Sequence, residues 1–535
     1  MIDVLIVGSG GAGLTAALNA KKKGAKVLIV SKTFPTHSQT CQAQGGINAI
    51  INENVDDNIE NYINDTCKAS HKLGNKSIIE LFCKKSKETI EWLDSIGVPF
   101  SRTETNKIAQ RKFGGTKAKR TCYSSDYTGL KILHTLYDQC IKEDIKFLNE
   151  HQLLNLIIED DCVKGITAIN ILDSEVKELK AKTVILATGG YAGIYHQFTT
   201  NSYSSTGDGI AAAYRAGAKL SNMEFVQFHP TTLEKKNILI SESARGEGGY
   251  LIDESGNRFI EELKPRDEVA RAIFERTNKG EKVYLDLRHL GLERINEVMP
   301  QERRLVKDFI GLNMENDLIP ISPSAHYTMG GILVDINTKT SIENLFSCGE
   351  CSQSGIHGAN RLGGNSLLEI ITFGKIAGIN AAKKANEIKT YKSTSNNQLM
   401  KDEKNLKEIL QRENENDFYE TKKELGKLFF TNVGLFREEK KLSLALDYVL
   451  KEEQAINDYG IEDKSKIYNK NLIEFLEFQN IIQLSKIILK SAIERTESRG
   501  AHYRTDFVEE KKEFDKNSIS ILEDKSLKIS FEDIL

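Results

Sequence analysis

At 535 residues, with 39% hydrophobic and 28% charged residues, the chain has the composition of a globular protein of two to four domains. Its net charge of −3 lacks the basic footprint of a nucleic-acid binder, and no apolar run approaches the roughly 20 residues that cross a bilayer. Eight scattered cysteines, and an apolar strand at the start with no signal peptide, predict free thiols in a reducing cytoplasm.

Asp3 to Val7 (DVLIV) is a continuous apolar run, as expected of a parallel strand buried on both faces. Gly8, Gly10, Gly11 and Gly13 follow in a G-x-G-x-x-G pattern, then a helical spacing ending at Gly24 and a second strand from Lys26 to Val30. That strand–turn–helix–strand setting makes an otherwise weak pattern specific for a dinucleotide. The glycines let backbone approach a pyrophosphate, whose charge meets the helix N-terminus. Ser31 and Lys32 stand where an NAD site would place an acidic residue for the ribose, which favours FAD.

Further along, Thr183 to Gly190 (TVILATGG) reads as a strand running into a glycine turn, and residues 340–350 as another strand leading to Glu350. The expected fold class is α/β. A Rossmann-like FAD-binding domain of the glutathione-reductase type (residues 1–225 and 325–385) would carry an inserted α+β capping domain (226–324). Residues 386–500, Lys/Glu-rich with helical periodicity, read as a helical domain, and 501–535 as a polar, extended tail.

Between His229 and Ser366 the chain spaces cationic and imidazole groups in a way that suits a small dicarboxylate. FVQFHPTT carries His229; ISESARGEGG carries Ser241, Glu242 and Arg245; KPRDEVAR carries Arg266; SAHYTMGG carries His326; HGANRLGGNS carries Arg361. An unpaired buried guanidinium is strongly unfavourable, whereas its planar fork grips a carboxylate through two parallel hydrogen bonds. Each residue taken singly could be a surface ion pair, and Arg266 could merely pair with Asp267; the whole set beside a dinucleotide fingerprint argues otherwise. Cys348 and Cys351 lack a second pair of metal-ligand spacing, so no metal is expected.

With these segments stand AQGGINA (43–49), PFSRT (99–103), QRKFGG (110–115), KRTCYSSDYTGLKILHTLY (119–137) and STGDG (205–209). Together they resemble the flavoprotein subunits of the succinate dehydrogenase and fumarate reductase family from Asp3 to about Asp506, and ESRGAHYRTDF (497–507) resembles the family's C-terminal signature. L-aspartate oxidase, a sister family, shares the HPT, ARGEG, PRD, HY-x-x-GG and HGANR elements. The QRKFGG…KRTCY block and the ESRGAH-x-R ending are more similar to the respiratory subunits.

The resemblance implies roles. Gly8, Gly10 and Gly13 would face the FAD pyrophosphate. Ser31, Lys32, Thr40, Gln44, Gly45 and Gly46 would line the path from adenosine to isoalloxazine, with Asp208, Glu350, Ser366 and Leu367 as further FAD contacts. His229, Ser241, His326 and Arg361 would bind substrate carboxylates. Arg266 would be the catalytic acid, with Arg245 and Glu242 as its proton relay. The implied reaction interconverts fumarate and succinate. The implied partners are an iron–sulfur subunit and, through it, a quinone-reactive anchor on the inner face of the cell membrane. One position departs from the family: Gln39 stands where a histidine usually bonds covalently to the flavin, so non-covalent FAD and a bias toward fumarate reduction are expected. His37, two residues early, is a candidate for a shifted linkage. The alternatives are aspartate oxidase, a non-enzymatic flavin-binding scaffold, a reductase for another unsaturated acid, and a soluble thiol-linked electron donor in place of the iron–sulfur subunit.

Overall fold

The strand Ile2–Val7 sits inside a seven-stranded sheet, and Val4, Leu5 and Ile6 are wholly buried, as their uninterrupted apolar run requires. The computed structural model describes residues 1–52, 56–389, 391, 395 and 397–534. From one edge the sheet runs Lys146–Asn149, Val27–Ser31, Ile2–Val7, Val176–Leu186, Cys162–Asn170 and His151–Glu159. Val176–Leu186 belongs to two arrangements at once. Its first half pairs antiparallel with Gly165–Ile169; its second half pairs in parallel with Ile2–Val7 on one side and with the seventh strand, Leu345–Ser347, on the other. This brings both glycine turns expected from the sequence, at Gly8 and at Gly189, to the carboxyl edge of the parallel strands, where such sheets bind ligands.

The helix Gly11–Lys22 crosses the helix Asn365–Glu387 at very short range. A Cβ on Gly378 would lie 2.1 Å from the Ala16 carbonyl oxygen, and one on Gly374 2.7 Å from that of Ala12. Only residues without a side chain let the two backbones come this close. The crossing places the start of the second helix, with Ser366 and Leu367, on the same cavity as Gly10 and Gly11.

Over that edge lies a four-stranded antiparallel sheet, in the order Val226–Leu233, Ile319–Thr328, Val283–Asp286 and Tyr250–Asp253. With the helices Arg266–Thr277, Gly291–Val298 and Pro300–Ile310 it encloses its own apolar core around Leu251, Val269, Ile273, Leu285 and Ile295. Its first two strands pair with His229 opposite Ser324, which sets His229 and His326 side by side.

Helices Asn397–Gln411, Phe418–Asn432, Glu439–Gln454 and Lys470–Glu494 follow. Residues 501–534 differ from the extended tail expected. Asn517–Glu523 and Ser526–Glu532 form a hairpin, and Asn517–Glu523 also pairs with Leu220–Ser221 in a five-stranded sheet. The two-residue turn is Asp524-Lys525, both left-handed (φ 48° and 62°), the conformation that matches the twist of a hairpin. The usual glycine signal is absent there, which is why composition suggested a tail.

Candidate active site

A cavity of 810 Å³ runs from the first glycine turn to the underside of the four-stranded sheet. One half of it is built by the seven-stranded sheet. The helix Gly11–Lys22 starts there with no side-chain cap and no acidic residue in its first turn, so its free N–H groups and dipole suit an anion. Thr40 Oγ1 accepts from Gly11 N at 3.1 Å and pins the loop beside it. Buried polar atoms with no hydrogen-bond partner line the same half: Ser38 Oγ, Gln44 Oε1, Thr188 Oγ1 and His151 Nε2. Buried polar groups are nearly always bonded, so this set fits a polar ligand such as FAD. Ser31 lines the cavity and shares a hydrogen bond with Ser9. Lys32 is also on the wall, but its Nζ donates to Asp208 Oδ2 at 2.6 Å and to Glu477 Oε1 at 2.8 Å. Glu350 receives bonds from Thr328 N and Oγ1, and burial pushes its carboxyl up to about 7.

The other half holds the dicarboxylate candidates. Arg266, at the start of the helix Arg266–Thr277, donates from Nε and Nη2 to Glu242 Oε2 at 2.8 and 2.6 Å. Its Nη1 reaches Gln227 Oε1 at 3.2 Å. It does not pair with Asp267, which instead takes Arg271 Nη2 and Asn360 Nδ2. Glu242 Oε1 accepts from Gly114 N at 2.9 Å and lies 3.8 Å from Arg245 Nη2. Arg245 is wholly enclosed behind Glu242, with Nη1 donating to the Glu262 carbonyl and with Nε and Nη2 making no hydrogen bond. Arg361 lies over the Tyr327 ring at 4.1 Å, its Nε also without a partner. The rings of His229 and His326 are 5.0 Å apart, and His326 Nδ1 meets Thr200 Oγ1 at 2.8 Å.

Burial, and after it the surrounding guanidinium groups, hold both imidazoles well below the ordinary histidine range, so they are neutral in the ligand-free site. Burial would raise Glu242, but Arg266 and Arg245 outweigh it and the carboxyl stays ionised. Arg361 is lowered to about 10 by burial and by Arg266. Arg245, Arg266 and Arg361 thus share Glu242, with Glu262 also facing Arg245 and Glu350, its carboxyl pushed up by burial, also facing Arg361. The positive charge of these buried groups invites an anionic ligand, and a dicarboxylate suits their number.

Of the residues read from the sequence, Gly8, Gly10, Gly11, Ser31, Lys32, Thr40, Gln44, Gly45, Gly46, Asp208, Glu350, Ser366 and Leu367 line this cavity, as do His229, Ser241, Glu242, Arg266, His326 and Arg361. Gly13 does not: a Cβ there would strike the Gly8 carbonyl oxygen at 2.0 Å, so this glycine serves helix–strand contact and not the ligand. Arg245 stands behind the wall. His37 is exposed at the rim with its ring 6.1 Å from Phe34, and the Gln39 side chain accepts from Ser202 N at 3.1 Å. Sequence reasoning missed Gln227, which joins Arg266 to Asn360 and to the Arg361 carbonyl, and Arg111, whose guanidinium holds the Gly45 carbonyl. Gln227 sits two residues before His229 in the FVQFHP segment; Arg111 sits in QRKFGG, which carried resemblance but no chemistry. Cys348 and Cys351 are buried free thiols, and among the described residues no group of His, Cys, Asp and Glu could hold a metal ion.

A family model described as an FAD binding domain matches residues 3–367, and one described as the fumarate reductase flavoprotein C-terminal region matches residues 422–534. The 8-methylmenaquinol:fumarate reductase flavoprotein subunit of Wolinella succinogenes is 39% identical over 95% of this chain and 86% of its own. The succinate dehydrogenase flavoprotein subunit of Rickettsia bellii is 36% identical over 94% and 90%. A solved variant of Escherichia coli quinol fumarate reductase superposes with a TM-score of 0.95 at 32% identity, covering 100% of this chain and 96% of that one. Aspartate oxidase finds no support in these comparisons.

Proposed function

The chain belongs to the fumarate reductase and succinate dehydrogenase flavoprotein family, FAD-dependent oxidoreductases, and from that membership we propose that it interconverts fumarate and succinate in the cavity described above. The observation that carries the proposal is the convergence of Arg266, Arg361, His229, His326 and Ser241 on the half of the cavity that faces the dinucleotide site.

When bound, FAD supplies the hydride chemistry at one alkene carbon. Arg361, with His326, would grip one substrate carboxylate, and Ser241 with His229 the other; holding the diacid in one pose turns an encounter into a near-unimolecular step. Arg266 and the neutral imidazoles would stabilise negative charge developing across the substrate. Arg266 would give a proton to the second carbon. A free guanidinium is a poor acid, with a pKa above about 12, but here it faces a strongly basic developing carbanion among other cations. Its Nε and Nη2 rest on Glu242 Oε2, so Glu242, backed by Arg245, would return the proton.

Non-covalent FAD follows from Gln39, whose amide cannot form the family's histidyl bond. Loss of that bond would leave the flavin a better reductant and bias turnover toward fumarate reduction. Among the described residues no helix is long and apolar enough to cross a membrane. From the likeness to subunits of quinol-linked fumarate reductases, electrons would pass through an iron–sulfur partner subunit to a quinone-reactive anchor, holding the chain at the inner face of the cell membrane. The test is dye-linked assay of the FAD-loaded protein with fumarate and with succinate. Activity with both, faster toward succinate formation, supports the reading, and activity with neither sinks it.

A further inference from the structure

The structure places a pair of acids directly behind the substrate site. Glu302, in the helix Pro300–Ile310, and Asp126, in the turn before the helix Thr128–Lys142, are both wholly buried. Asp126 Oδ2 accepts from Glu302 N at 2.9 Å. Glu302 Oε1 faces Ser241 N at 3.2 Å and Ser243 Oγ at 3.4 Å, and Ser243 Oγ shares a short hydrogen bond with Ser241 Oγ. The remaining oxygens, Glu302 Oε2 and Asp126 Oδ1, have no partner. One chain of contacts therefore leads from a buried carboxyl through two hydroxyls to the cavity wall.

That chain has a polarity. Ser243 N donates to Ser241 Oγ, so the one Ser241 proton goes either to Ser243 Oγ or into the cavity. If Glu302 is ionised it accepts from the Ser243 hydroxyl, Ser243 Oγ then accepts from Ser241, and Ser241 offers the cavity only lone pairs. If Glu302 is protonated it donates to Ser243 Oγ, Ser243 donates to Ser241 Oγ, and the Ser241 proton points into the cavity. Only the second state helps to bind a carboxylate.

We propose that Glu302 is a positioning residue: its proton, kept in place by Asp126, turns the Ser243–Ser241 hydroxyl pair so that Ser241 donates to the substrate carboxylate. The inference rests on the dicarboxylate reading of the site. The charged groups facing Glu302 agree with it. Burial and then Asp126 oppose ionisation, while the Ser241 hydrogen bonds and Arg111, from the strand Gln110–Arg111, favour it and are outweighed; Glu247 and Tyr123 face Arg111 in turn. The balance raises Glu302 to about 8.

The experiment measures KM for fumarate against pH in the FAD-loaded wild type, Glu302→Gln and Asp126→Asn. In the wild type KM should rise about tenfold for each pH unit above Glu302 ionisation, at unchanged kcat, because only the protonated fraction binds well. Glu302→Gln should flatten this rise, and Asp126→Asn should move its onset to lower pH. A uniform KM increase in Glu302→Gln at every pH, or three superimposable profiles, overturns the proposal by reducing Glu302 to packing. A wild type that does not reduce fumarate defeats the functional reading instead. The infrared difference between wild type and Glu302→Gln at neutral pH then decides: a protonated-carboxyl C=O band lost on substitution upholds a protonated Glu302, and no lost band overturns it.

Discussion

In the proposed mechanism the chemistry turns on Arg266. Among the described residues it is the one cationic side chain that lines the cavity and donates to Glu242; Arg245 stands behind the wall, and Arg361 lies over the Tyr327 ring. Arg266→Ala should lower fumarate reduction by about 10²–10⁴-fold, the range that a general acid supplies, while flavin content stays unchanged; activity within a few-fold of wild type would move the proton donor elsewhere. Gln39 makes a simpler prediction. Denaturation in acid should release all of the yellow colour from the polypeptide, and flavin migrating with the chain would point to His37 as a linkage. Glu350 gives a pH dependence. In the FAD-free protein its carboxyl is protonated up to about 7, whereas unfolded it ionises near its ordinary 4.5. The folded state thus holds a proton that the unfolded state has released. This contribution is full below the ordinary value and fades as pH rises through the folded one, each pH unit between the two being worth about 1.4 kcal/mol. Between about pH 5 and pH 8 the wild type should lose more thermal stability than Glu350→Gln, and parallel melting curves would show that Glu350 ionises normally.

The helix Gly11–Lys22 and the helix Asn365–Glu387 are the two elements whose contact positions the dinucleotide half of the cavity. Gly378 is where that contact is tightest, with the Ala16 carbonyl 2.1 Å from any added Cβ. Gly378→Leu should cost at least about 1–3 kcal/mol by overpacking, read as a lower melting temperature together with weaker FAD binding; a stable variant that holds FAD normally would show that the two helices separate freely. Much of this layer was legible beforehand. The apolar strand from Asp3 to Val7, the glycine run and the Gly24 stop follow short-range rules that the structure obeys. Gly13 was misassigned because a fingerprint does not distinguish a glycine that meets ligand from one that meets its own strand. The final hairpin was missed because Asp524 and Lys525 adopt left-handed φ without glycine, leaving only the alternation of ISILE and SLKISF to signal it.

At the scale of the whole molecule, the site exists only where the capping sheet closes over the edge of the large one. Spacing along the sequence singled out His229, Ser241, Glu242, Arg245, Arg266, His326 and Arg361 because arginines beside glycine-rich turns are chemically costly without a ligand. It did not show Gln227 or the Asp126–Glu302 pair, since an amide and two acids become informative only when their burial and partners are known. The proposed need for a partner also belongs to this scale. The isolated FAD-loaded chain should reduce fumarate with a reduced dye but not with a quinol, and quinol activity should return on adding an iron–sulfur partner and its membrane anchor; quinol activity in the isolated chain would remove that need. The central claim, that this cage selects a four-carbon diacid beside the flavin, is tested most directly by anaerobic stopped-flow mixing of the reduced FAD-loaded protein with fumarate and, separately, with the monoacid crotonate. The expected result is flavin reoxidation by fumarate with one succinate formed per flavin and no reoxidation by crotonate. Equal rates with both acids, or no reaction with fumarate, would contradict it.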